Sequence, residues 1–179
     1  MKDILIIMTG GTIDAEPYAD PAHPPKHAIP LRDSLVPQAV EKLGHADDCR
    51  FFQWVMKDSK DFTKSELYAM SVFIKQRRAE HIIITHGTDR MPENSRELMR
   101  LMEGSDKTVV FTGAMVPLSN GKQSDAYDNL RFAIEQMESW PKGVHVVMHG
   151  KQFGPSRVRK NFTTRRFEEE QIMKNIIII

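Results

Sequence analysis

Short apolar runs that stop at glycine-bearing turns constrain this chain more than any other feature. Ile4–Met8 is continuously apolar and halts at Thr9-Gly10-Gly11-Thr12. His81–Thr85 halts at His86-Gly87-Thr88-Asp89, and Thr108–Phe111 halts at Thr112-Gly113-Ala114-Met115. Phe51–Val55 and Val144–Met148 are two further strand candidates. A run that is apolar throughout must be buried on both faces, as a central parallel strand is. The intervening segments have helical spacing. Leu31–Leu43 repeats through Leu31, Leu35, Ala39 and Leu43. A second helix opens on the capping box Thr63/Glu66 and runs to about Arg78. Asn94–Glu103 is closed by Gly104, and Asp125–Ser139 is the last. Strands alternating with helices require right-handed crossovers. The expected fold is therefore a single-domain α/β protein, Rossmann-like or flavodoxin-like, with a mostly parallel sheet and helices on both faces.

Composition narrows the partners. The chain has 179 residues, net charge +1, 40% hydrophobic and 27% charged residues. Such a balance gives no global field for nucleic acid or a membrane surface. No stretch approaches the ~20 apolar residues of a membrane span, and Met1–Met8 is too short for a signal core. Cys49 is the single cysteine, which excludes an intrachain disulfide and fits a reducing, cytoplasmic compartment. Residues 157–166 carry five basic side chains, but Glu168-Glu169-Glu170 follow at once and favour a solvated face over a phosphate-binding one. His145/His149 and His23/His27 are each four apart, yet one pair straddles a strand and the other a proline-rich loop. No metal site is expected from them. Gly10-Gly11-Thr12 lacks the lysine of a phosphate-binding loop. The terminal Ile176–Ile179 is expected to be buried, as an added strand or in a subunit contact.

The turns carry the chemistry. Two strand-end loops can face one crevice of an open parallel sheet. Each presents a hydroxyl and backbone N–H groups, and the second adds Asp89. Hydroxyls, a carboxylate and a nest of donors suit nucleophilic attack on a carbonyl. A threonine hydroxyl needs a base, and Lys160 beside Thr88 could take its proton. Each feature has an ordinary alternative: Thr12 and Thr88-Asp89 as helix caps, Lys160 on a solvated basic face. Residues 14–30 hold Pro17, Pro21, Pro24, Pro25 and Pro30, so a long irregular loop is expected there.

The three turns, in this order and spacing, resemble the signature turns of the bacterial-type L-asparaginase/glutaminase family, N-terminal domain. Ser156-Arg157-Val158-Arg159-Lys160-Asn161 is similar to the ending of its short-chain members, which lack the second domain. The resemblance covers a catalytic domain at residues 1–167 and leaves a tail at 168–179. It implies hydrolysis of L-asparagine to L-aspartate and ammonia through a threonine acyl-enzyme, without metal or cofactor, in a homo-oligomer. By position it implies Thr12 as nucleophile, Tyr18 as the lid tyrosine that aids it, and Thr88, Asp89 and Lys160 as the second catalytic set. Asp58, Ser59, Gly11, Gly87, Thr88, Asp89 and Ala114 would contact substrate. Ser59 would bind its carboxylate, Asp89 its amino group, and the backbone at Gly11 and Thr88 the oxyanion. Lys60 stands where long-chain members place a substrate-contacting glutamine, and Glu16 is close in sequence to Tyr18, where it could stand in for the acid that a second domain contributes.

Overall fold

The fold is seen in a computed structural model that describes residues 2–170. Five strands lie parallel: β1 (Ile4–Met8), β2 (Cys49–Gln53), β3 (His81–Thr85), β4 (Thr108–Thr112) and β5 (Gly143–Met148). A short β6 (Lys151–Phe153) turns back antiparallel on β5. The sheet order is β2-β1-β3-β4-β5-β6. The chain therefore moves outward from β1 in one direction to β2 and then reverses through β3. That reversal leaves a crevice beyond the carboxyl ends of β1 and β3, where open α/β sheets bind ligands.

Alternation along the strands sorts the core into two layers. Leu5, Ile7, Ile82, Ile84, Val109 and Phe111 pack with α2 (Lys64–Lys75) and α3 (Met91–Leu101) on one face. Ile4, Ile6, Met8, Ile83, Val110 and Val147 pack with α1 (Val36–Lys42) and α4 (Ala126–Gln136) on the other. Helices cover both faces, as the patterning requires.

Several boundaries differ from the expected ones. The first helix begins at Val36, not Leu31, because Asp14 takes the Leu35 N–H (2.8 Å) and the Ser34 hydroxyl (2.8 Å), and Pro37 fits only a first turn. The third begins at Met91, with Pro92 likewise in its first turn. The strand expected at Phe51–Val55 lies at Cys49–Gln53. A hairpin of β7 (Val158–Asn161) and β8 (Arg166–Glu169) adds to the expected elements. It buries only Val158 and Phe167, while its other positions are charged or polar. The Ile176–Ile179 segment lies outside the described residues.

Candidate active site

Gly10 and Gly11 end β1 at φ 84° and 79°, a backbone region that side chains disfavour. Space demands glycine as well. A Cβ on Gly11 would overlap the Gly87 backbone, and one on Gly87 would come within 2.7 Å of the Ser59 Cβ. The first and second turns and the Ser59 turn thus meet at backbone contact.

His86 fastens this junction from below. It is buried, edge-on to both Phe62 and Phe111. The Asn94 amide donates to its Nε2 (2.8 Å), so Nδ1 carries the proton and donates to Thr9 Oγ1 (2.7 Å). Thr9 in turn donates to the Thr85 carbonyl (2.8 Å). Burial pushes the His86 pKa down to about 3, so the ring stays neutral and the tautomer is fixed. In the sequence, His86 is marked by nothing beyond its place in the motif.

Above this platform lies a cavity of about 400 Å³ lined by residues that include Gly11, Thr12, Tyr18, Asp58, Ser59, Gly87, Thr88, Asp89 and Lys160. Ala114, expected at the substrate, is instead fully buried in the core, and its neighbour Met115 lines the cavity. Lys160 arrives on β7, which Arg96 of α3 holds through the carbonyls of Pro155 (3.0 Å) and Val158 (2.9 Å). Its ammonium donates to Thr88 Oγ1 (2.7 Å) and Asp89 Oδ1 (2.5 Å). Lys60, at the position where long-chain members place a glutamine, pairs with Asp89 Oδ2 (2.7 Å). Burial alone would raise the Asp89 pKa, but hydrogen bonds and charge from both lysines outweigh it and hold the carboxyl below its usual range. The Ser59 hydroxyl accepts from Arg90 N–H (3.2 Å), and Asp58 caps the turn through Lys60 N–H (2.9 Å). Gly11 N–H, expected as an oxyanion donor, donates to the Lys57 carbonyl (3.0 Å).

The loop from Asp14 to Leu31 forms one wall. Its neck closes where Ala15 bridges Pro30 and Leu31 N–H reaches the Asp14 carbonyl (2.8 Å). Tyr18 is buried, and its hydroxyl donates to Thr12 Oγ1 at 3.4 Å. Burial raises the Tyr18 pKa, which keeps the phenol protonated at neutral pH. Asn120 clamps the Tyr18 backbone twice: its Oδ1 accepts from Tyr18 N–H and its Nδ2 donates to Tyr18 C=O, both at 2.9 Å. Arg165 ties Pro21 C=O (3.2 Å) to Met115 C=O (3.3 Å). Glu16 is exposed and does not line this cavity. Neither Asn120 nor Arg165 carries a sequence signal that marks it, since their partners are backbone groups about a hundred residues away or more, or fifty in the case of Met115.

Fold and site together define an open α/β protein whose ligand crevice sits at the reversal of strand order, furnished with the hydroxyls of Thr12, Tyr18, Ser59 and Thr88, the carboxylates of Asp58 and Asp89, and Lys160. Residues 3–172 match the family described as "Asparaginase, N-terminal", and the chain belongs to that family. It is 27% identical over 175 residues to the glutaminase-asparaginase of Acinetobacter glutaminasificans, covering 93% of this chain and 52% of the relative. It is 32% identical over 174 residues to a glutamyl-tRNA(Gln) amidotransferase component of Archaeoglobus fulgidus, covering 93% of this chain and 41% of the relative. The crystal structure of a probable cytoplasmic L-asparaginase from Campylobacter jejuni superposes with a TM-score of 0.76 at 26% identity, over 94% of this chain and 53% of that one. The chain thus spans about half the length of these relatives. Among the described residues, no helix is long and apolar enough to cross a membrane.

Proposed function

We propose that the chain hydrolyses the terminal carboxamide of a short acid to a carboxylate and ammonia through a threonine acyl-enzyme, with L-asparagine as reference substrate. The observation that carries this reading is the Lys160 ammonium seated on both Thr88 Oγ1 and Asp89 Oδ1 in the cavity that also holds Thr12 and Tyr18. A threonine, an amine and a carboxylate in contact form a nucleophile, base and orienting group in series. Thr12 is the preferred nucleophile because the Tyr18 hydroxyl touches it and the loop that bears Tyr18 can exclude water. Thr88, hydrogen-bonded to Lys160 and through it to Asp89, then activates the water that releases the acid. No step calls for a metal or cofactor. A cytoplasmic setting and a homo-oligomer belong to the same proposal. The lone, buried Cys49 supports the first and the family resemblance the second.

L-glutamine is the second reading, favoured by the likeness to proteins named for glutaminase and amidotransferase activity. One methylene in a pocket discriminates by only ~1–3 kcal/mol, so both amides belong in the same assay. Ammonia release from the purified, folded chain at millimolar amide tests the proposal. Turnover that is abolished in Lys160→Met supports it. Amide binding of equal affinity in the native chain and in Thr12→Ala, with no ammonia from either, contradicts it and makes the chain a binding module.

A further inference from the structure

The turn between β7 and β8 carries Arg165 to the loop that bears Tyr18. Arg165 sits at φ 56°, a left-handed backbone that residues other than glycine rarely adopt. Such local strain is tolerated where it fixes a functional group. Its Nη1 donates to the carbonyls of Pro21 (3.2 Å) and Ala22 (3.4 Å), and its Nη2 to the Met115 carbonyl of the third turn (3.3 Å). Pro21 follows Tyr18 closely along the loop, and Arg165 and Tyr18 line the same cavity. The other cations lining it are differently placed. Lys160 is committed to Thr88 and Asp89, and Lys26 is exposed. Among the described residues, the partners of Arg165 are carbonyl dipoles rather than a carboxylate, so its charge is held in place without being neutralised.

Tyr18 is the group on which such a charge can act. Its hydroxyl touches Thr12 Oγ1 at 3.4 Å, and a hydroxyl both donates and accepts a proton. Burial pushes the phenol pKa up, and the carboxylates of Asp89 and Asp58 add to that rise. The Thr12 hydroxyl and the Arg165 charge pull the other way. Resting on the amide-hydrolysis reading above, we propose that Arg165 is a positioning residue for acylation: its fixed charge steadies the phenol oxygen of Tyr18 while that hydroxyl protonates the leaving nitrogen. The step balances without a co-reactant. Thr12 Oγ1 bonds to the amide carbon and the C–N bond breaks. Tyr18 gives its proton to nitrogen, which leaves as ammonia, and takes the Thr12 proton in return. Negative charge that gathers on the phenol oxygen between these transfers is what Arg165 stabilises. Water later cleaves the ester and restores the threonine.

The test compares kcat/KM for the preferred amide, L-asparagine or L-glutamine, with kcat/KM for the side-chain phenyl ester of the corresponding acid, whose phenolate leaves without a proton. Arg165→Gln keeps a donor for the loop carbonyls but no charge, whereas Arg165→Lys keeps the charge but not the fork. Arg165→Gln is expected to lose at least about tenfold on the amide and less than about threefold on the ester. Arg165→Lys is expected to stay within about threefold of the native chain on both. Equal losses on amide and ester, an unchanged amide rate in Arg165→Gln, or a Lys variant as impaired as the Gln variant would make Arg165 no more than a latch and overturn the inference. Combined with Tyr18→Phe, Arg165→Gln should cost the amide nothing beyond Tyr18→Phe alone, and losses that multiply overturn the inference too. Each of these outcomes leaves amide hydrolysis intact. Ammonia from neither amide with the native chain overturns the hydrolysis reading and this inference with it.

Discussion

At the scale of single residues, the site is a set of charges and hydroxyls held by buried polar struts. Removing the Thr88 hydroxyl while keeping its shape should be the sharpest local change. Thr88→Val is expected to lower kcat by about 10²–10⁴ with little effect on stability, as read by initial ammonia rates and thermal midpoint. His86→Ala acts differently. It strips partners from Thr9 and Asn94 and opens space between Phe62 and Phe111, so a loss of about 2–4 kcal/mol in urea denaturation is expected. Thr12, Thr88 and Asp89 could be singled out because they sit in glycine turns, whereas Lys160 stands in a basic run that only the resemblance of Ser156–Asn161 to the family's short-chain members distinguishes. The pairing of Lys60 with Asp89 could not, because it spans 29 positions and depends on how the Ser59 turn meets Gly87. The diversion of Gly11 N–H to Lys57 was hidden for the same reason: strand-end loops choose partners only after the sheet has assembled.

At the scale of elements, the loop from Asp14 to Leu31, which the proposed mechanism uses as a lid, is a cavity wall held at identifiable points. Asn120 grips the Tyr18 backbone, Ser119 donates to Ala15 C=O (2.7 Å), and Arg165 bridges the lid to the third turn. Each such bond is worth ~1 kcal/mol net, enough to bias a loop without governing global stability. Asn120→Ala is therefore expected to speed proteolytic nicking within residues 15–30 and to lower kcat/KM at least about tenfold, while the thermal midpoint moves by only a few degrees. Unchanged nicking and activity would show that the clamp does not hold the lid. Strands β1, β3 and β4 were legible because burial on both faces leaves their interiors apolar, with His81, Thr85, Thr108 and Thr112 only at strand ends. The β7–β8 hairpin was not, since four-residue strands with one solvated face read as a charged run. Its importance lies in carrying Lys160 and Arg165 to the cavity.

At the scale of the whole molecule, two buried titratable groups near the turns oppose each other. Burial raises the Asp14 pKa from 3.8 to about 6, against the pull of the Leu35 N–H and the Ser34 hydroxyl. Folded Asp14 thus binds more protons than the unfolded chain between these values, so its contribution to stability falls as pH rises from about 4 to about 6. His86, depressed from 6.5 to about 3, binds fewer protons when folded, so its contribution rises with pH across that interval. The two slopes offset in the native chain. Asp14→Asn keeps both neighbours in hydrogen-bond reach and removes one slope. Its stability relative to the native chain should be unchanged near pH 4 and higher by an amount on the order of 3 kcal/mol at pH 7, measured by urea midpoints. A constant difference across that range would contradict the assignment. In the function proposed above, turns from β1 and β3, joined across the reversal of strand order, make one site that cleaves amides through a threonine ester. Acid quench during turnover of a short amide, followed by peptide mass analysis, tests it most directly. An acyl adduct on the peptide bearing Thr12, absent in Thr12→Val, is the expected result. Turnover with an adduct on neither Thr12 nor Thr88 would contradict it.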